Sequence, residues 1–169
     1  MKKYLAAIVI AILLIGGGGF FAYVHFISGG PWQGTWWGVQ DAGVNWSGDH
    51  IRNLETVTFT RNDDKTITVE HKVQQGSKEV DGSLSGTGVV DGGRLVVTPK
   101  KGGKDVALSY NTMSKTIDLP LTNADKSAVT LKVLTSDNND EMEQIRSEIV
   151  QISQKPENKI DTTLSSSKS

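Results

Sequence analysis

Between Gly34 and Thr135 apolar and polar residues alternate at period two, and clusters of glycine, asparagine and aspartate interrupt the alternation at hairpin spacing. Successive strand side chains point to opposite faces, so this pattern suits a half-buried antiparallel sheet and does not suit a helix. The β-branched runs Thr56 to Thr60 and Thr66 to Val69, joined by the polar segment Arg61 to Lys65, predict a hairpin. Further runs at Thr35 to Gln40, Val80 to Val90, Arg94 to Thr98, Val106 to Tyr110, Thr116 to Leu121 and Ala128 to Leu134 bring the total to about eight strands. Short turns between consecutive strands require antiparallel neighbours, and a meander of this size closes into a small up-and-down barrel or folds as two facing sheets; the barrel is the expected form.

One parity of these strands supplies the expected core: Val57 and Phe59; Ile67, Val69, His71 and Val73; Val106, Leu108 and Tyr110; Ile117, Leu119 and Leu121; Val129, Leu131 and Val133. Gly82, Gly86 and Gly88 predict a bulge or a corner within the run from Val80 to Val90. Pro120 lacks the N–H of a ladder residue and argues for an edge or an irregular strand.

Lys2 and Lys3 precede an uncharged, mostly apolar run over residues 4–27. A helix of about 24 residues spans ~36 Å, enough to cross a hydrocarbon core of ~30 Å. Lysines held on the cytoplasmic side would place everything after residue 27 outside. The expected layout is an N-terminal membrane anchor over residues 1–30, in contact with lipid through residues 4–27, and an extracytoplasmic β-domain over 31–136. An amphipathic helix over 137–153 and a disordered tail over 154–169 follow. The expected location is a bacterial cytoplasmic membrane, crossed once; the alternative is secretion after cleavage near Gly17 and Gly19.

The helix is read from Met142, Ile145, Ile149 and Ile152, which recur at three and four residues behind the cap and first-turn acids of the segment Asp137 to Asp140. Its stripe can dock on the β-domain or on a partner. Gln154 to Ser169 is polar, with Pro156 and a serine run, and offers little to bury.

Pro31-Trp32-Gln33-Gly34-Thr35-Trp36-Trp37-Gly38 is the sharpest local feature outside the anchor. Its Gly34-Thr35-Trp36 resembles the Gly-x-Trp entry of lipocalins, and together with Asp81-Gly82-Ser83-Leu84-Ser85-Gly86-Thr87 it resembles the turn and strand vocabulary of avidin-type barrels. The resemblance implies a glycine that starts a strand near the barrel floor and a tryptophan that plugs it. The second segment lies farther along the chain than the second strand of avidins, other lipocalin signatures are absent, and no ligand residues carry over. Trp32 next to the anchor reads as an interfacial residue, while Trp32, Trp37 and Trp46 are candidates for contact with a ligand, a glycan or the bilayer surface.

Chemistry-bearing motifs are sparse. There is no cysteine, hence no disulfide or thiolate site, and three scattered histidines do not suggest a zinc site. Asp49 with His50 and Glu70 with His71 are strand neighbours that face opposite ways. No metal, no cofactor and no catalytic group is expected. With Lys2 and Lys3 set aside acidic residues outnumber basic ones and the signs are mixed, which disfavours nucleic acid. The sequence therefore predicts a non-enzymatic interaction or assembly component of the bacterial envelope, with an envelope protein as partner. The alternative is a lipocalin- or avidin-like barrel whose interior, lined by Trp36, Trp37, His71 and Tyr110, holds a small ligand.

Overall fold

A computed structural model describes residues 30–155. The strands are β1 (Gly34–Val44), β2 (His50–Arg61), β3 (Ile67–Gln75), β4 (Lys78–Asp81), β5 (Gly86–Asp91), β6 (Arg94–Pro99), β7 (Val106–Asn111), β8 (Thr116–Thr122) and β9 (Ala128–Val133), followed by the helix α1 (Ser136–Gln154). The apolar run over residues 4–27 and most of the C-terminal tail lie outside the described residues. Among the described residues no helix is long and apolar enough to cross a membrane.

The strands form one sheet in the order β2-β1-β9-β8-β7-β6-β5-β3-β4, and β2 also pairs with β3. That last pairing, nine antiparallel residue pairs from Asn53↔Gln75 to Arg61↔Ile67, closes an up-and-down barrel of eight strands with β4 outside the ring. The expected barrel is therefore present and closed.

Register fixes which residues point inward. Trp36 faces Val57, which faces His71; Gly38 faces Glu55, which faces Val73. Around the ring the same parity brings in Leu95 and Leu108, then Ile117 with Leu131 and Leu119 with Val129. Trp36, Val57, Phe59, Val69, Leu95, Val97, Leu108, Ile117, Val129 and Leu131 are each no more than 1% exposed. Each such side chain contributes roughly 1.5–3 kcal/mol by leaving water, so this filled interior is the main source of stability.

Two features refine the sequence expectation. The run from Val80 to Val90 is two strands, because residues 82–85 turn into the barrel and bury Leu84. Glycine is required where the chain turns: a Cβ on Gly82 would overlap the His71 ring, and one on Gly86 would overlap the Thr98 carbonyl. Pro120 stands in a closed barrel without penalty because the β8–β9 register slips between Leu119 and Thr122, so no ladder bond is asked of it.

The helix starts and docks for local reasons. Thr135 is its N-cap at φ −131°, and Asn138 rather than an acid provides the side-chain cap, accepting from the Thr135 N–H at 2.9 Å. Asn138 also donates to the Val133 carbonyl at 2.9 Å and accepts from Trp37 Nε1 at 3.3 Å, which ties the helix start to β9 and β1. Met142 and Ile149 bury against Trp37 and Leu54, with Val39, Leu134 and Ile145 around them. Trp37 and Leu54 have the outward parity, so the helix covers one patch of the outer wall.

Candidate functional site

Among the described residues the interior holds one buried acid-histidine cluster. Glu55 on β2 and His71 on β3 are both 1% exposed, and His71 Nε2 lies 2.6 Å from Glu55 Oε2. Leu84 donates its backbone N–H to His71 Nδ1 at 3.3 Å, so Nδ1 is an acceptor, the ring proton sits on Nε2, and Nε2 donates to the Glu55 carboxylate. The His71 backbone is held as well: Gly82 N–H donates to its carbonyl at 2.8 Å, and Ser85 Oγ bonds both its N–H and its carbonyl at 3.0 Å. One residue thus joins β2, β3 and the β4–β5 crossover. The arrangement suits a structural latch, because both partners are sealed from solvent.

The expected ligand-lining residues divide. Trp36 and Tyr110 meet inside the barrel, edge to face with centroids 6.0 Å apart, and His71 lies inside with Glu55. Trp37 is on the opposite face, under the helix, with the Lys132 ammonium 4.2 Å from its ring centroid and Glu141 2.6 Å from that ammonium. The helix stripe read from sequence lies against the barrel through Met142, Ile145 and Ile149, and Ile152 borders a groove with Ile51 and Gly76. Glu70 and His71 do not act together; the partner of His71 is Glu55 across the strand pair. Neither neighbour-based acid-histidine reading pointed to Glu55. Its signal was present, since Glu55 shares parity with Val57 and Phe59 and so had to enter the core beside an inward histidine.

Outside, the features are a presented indole, a groove and an edge. Trp46 is fully exposed, at 107%, on the β1–β2 turn, whereas Trp32 is buried. The turn is fixed from within: Asn45 Oδ1 accepts from the Ser47 and Asp49 N–H groups at 2.9 and 2.8 Å, and Lys155 reaches Asp49 at 2.5 Å. Where residues 82–85 turn inward the wall is dented, leaving a groove of about 800 Å³ bordered by Thr68, Glu70, Lys72, Asp81, Thr87 and Lys100. Lys72 and Asp81 pair across it at 2.5 Å; that hydrogen bond lowers the Asp81 carboxyl and raises the Lys72 ammonium from their ordinary values. Among the described residues no three His, Asp or Glu side chains converge in a way that could hold a metal ion.

Compared with known proteins, the chain matches no family model and no curated protein.

Proposed function

We propose that the barrel is a non-enzymatic interaction module, the extracytoplasmic domain of a membrane-anchored bacterial envelope protein, and that it works through its outer surface. The observation that carries this reading is the filled interior: ten inward side chains from seven strands of the ring are at most 1% exposed, so the domain offers other molecules its wall and its turns. The anchor is supported by the charge-free run over residues 4–27 behind Lys2 and Lys3.

A small barrel is also compatible with ligand binding of the lipocalin or avidin kind. That reading has less support, because Trp36 and His71 are packed into the interior and Trp37 lies outside the barrel lumen. In intact cells, photoreactive side chains introduced at the outward positions Trp46, Glu79 and Thr130 test the proposal. The expected result is a protein that stays with the membrane through an alkaline wash and gives a discrete polypeptide adduct from at least one position. Release of the full-length chain by alkali removes the anchored reading, and silence at all three positions removes the interaction reading.

A further inference from the structure

A closed barrel has no sheet edges, since every strand is paired on both sides. Among the described strands β4 is the exception: it pairs with β3 on one side and with no described strand on the other. The direction of its backbone groups follows from the ladder. A two-residue turn joins Gln75 to Lys78, the closing pair of such a hairpin is hydrogen-bonded, and bonded pairs alternate thereafter. The Gly82 N–H to His71 carbonyl bond of 2.8 Å continues the same register. Lys78, Val80 and Gly82 therefore bond to β3, and Glu79 and Asp81 aim their N–H and C=O groups away from it. The Asp81 carbonyl shows that direction directly, because it accepts from the Lys101 ammonium at 3.2 Å.

We infer that this edge is a docking site for an extended segment of another polypeptide with basic residues at alternating positions, which joins the sheet as an added strand. The inference rests on the reading of the domain as an interaction module and names its surface and partner class. Charge selects the occupant. A second copy of the chain fits poorly, because two-fold pairing through the outward groups sets Glu79 against Asp81, Glu79 against Glu79 or Asp81 against Asp81, and like charges opposite one another destabilise a strand pair. A strand with lysine or arginine two residues apart sets one cation opposite Glu79 and a second opposite Asp81, where it takes the place of Lys72 and Lys101 among the lysines that face that carboxylate. Its intervening apolar residue meets Val80, which is 40% exposed. Glu79 has no ion-pair partner among the described residues, whereas Asp81 already holds Lys72. Lys101 sits on a loop whose Gly102 and Gly103 have positive φ, and it withdraws from the Asp81 carbonyl as the strand enters. The groove beside Asp81 opens at the end of this edge and receives the continuing chain.

The test uses the full-length protein in lipid nanodiscs and the blocked peptide Thr-Lys-Val-Lys-Thr at millimolar concentration, with amide hydrogen exchange resolved by residue. The peptide is expected to slow exchange at the Glu79 and Asp81 amides by about tenfold or more and to leave the Val80 amide, already bonded to β3, unchanged. Glu79→Pro removes one outward donor without touching a β3–β4 bond and should abolish the slowing; Glu79→Lys, which keeps the donor, should weaken it. No slowing, equal slowing by the same peptide with glutamate in place of lysine, or full slowing in Glu79→Pro overturns the inference. Failure here with a crosslink from Trp46 or Thr130 removes this edge and leaves the interaction reading standing; silence everywhere removes both.

Discussion

Replacing His71 by leucine tests whether the buried Glu55–His71 pair holds the barrel in its closed form. The substitution keeps the volume roughly constant and removes both ring nitrogens. Glu55, 1% exposed, then keeps a carboxylate in an apolar interior without its 2.6 Å donor, at about 3–5 kcal/mol. The Leu84 N–H loses its acceptor at Nδ1, adding about 1–3 kcal/mol. The expected loss of about 4–8 kcal/mol is comparable with the whole stability of a typical domain. Milder variants make the effect measurable. Glu55→Gln retains an acceptor for Nε2–H and should lose about 1 kcal/mol, and Glu55→Met, which orphans that N–H, about 1–3 kcal/mol. The double variant Glu55→Met with His71→Leu has neither the charge nor the imidazole and leaves only the Leu84 N–H unpaired, so it should lie within about 1–3 kcal/mol of the wild type. Urea unfolding followed by tryptophan emission and far-ultraviolet circular dichroism, with the midpoint compared at constant m, reads each value. A His71→Leu variant within about 1 kcal/mol of the wild type, or a double variant no more stable than His71→Leu, would refute the role of the pair as a latch.

Gly82→Ala should lose about 1–3 kcal/mol, because the new Cβ overlaps the His71 ring; Gly102→Ala, with open space around it and only its φ of +83° to strain, should lose less, as thermal unfolding of the two will show. Met142→Ala and Ile149→Ala should each lose about 2–5 kcal/mol and shift the emission of Trp37 to the red as the helix loosens from β1 and β2, which denaturant titration with fluorescence detects. Asp64 and Asp125 carry carboxyls held below the ordinary range by hydrogen bonds from Thr66 and Ser127. Their contribution is complete above the ordinary carboxylate pKa and is lost as pH falls through the lowered folded values. Stability should therefore decline on acidification below that range, and Asp64→Asn with Asp125→Asn should flatten the decline in unfolding midpoints measured across it.

Strand existence and inward parity were legible because alternation reports them directly: Val57, Phe59, Ile67, Val69, His71 and Leu108 all face the interior as their spacing indicates. What alternation cannot report is what covers the outer face. Trp37 and Leu54 are buried through the helix some hundred positions later in the chain, a contact with no local trace. Closure through β2 and β3 is likewise a long-range fact, since a closed meander and an open one carry the same pattern. The three glycines at 82, 86 and 88 did announce an irregularity, but that Leu84 turns inward follows from the space left by glycine and filled by His71, which only the assembled barrel reveals. Sequence adjacency does not mark the Glu55–His71 pair, because partners in a sheet stand across strands. Pro120 indicates an edge or an irregular strand, and the structure has the second, a register slip between Leu119 and Thr122.

The packed interior is most directly tested by acrylamide quenching of tryptophan emission in the full-length protein and in Trp46→Phe. Trp32, Trp36 and Trp37 are at most 2% exposed and Trp46 is fully exposed, so the variant should lose nearly all quenchable emission and keep a blue-shifted, shielded remainder. Trp37 lies outside the lumen, so Trp36 alone reports on it: in a variant that keeps only Trp36, a shielded emission is expected, and emission that quenches like free indole would show a water-filled barrel, contradict the surface-acting account and return the small-ligand reading to first place.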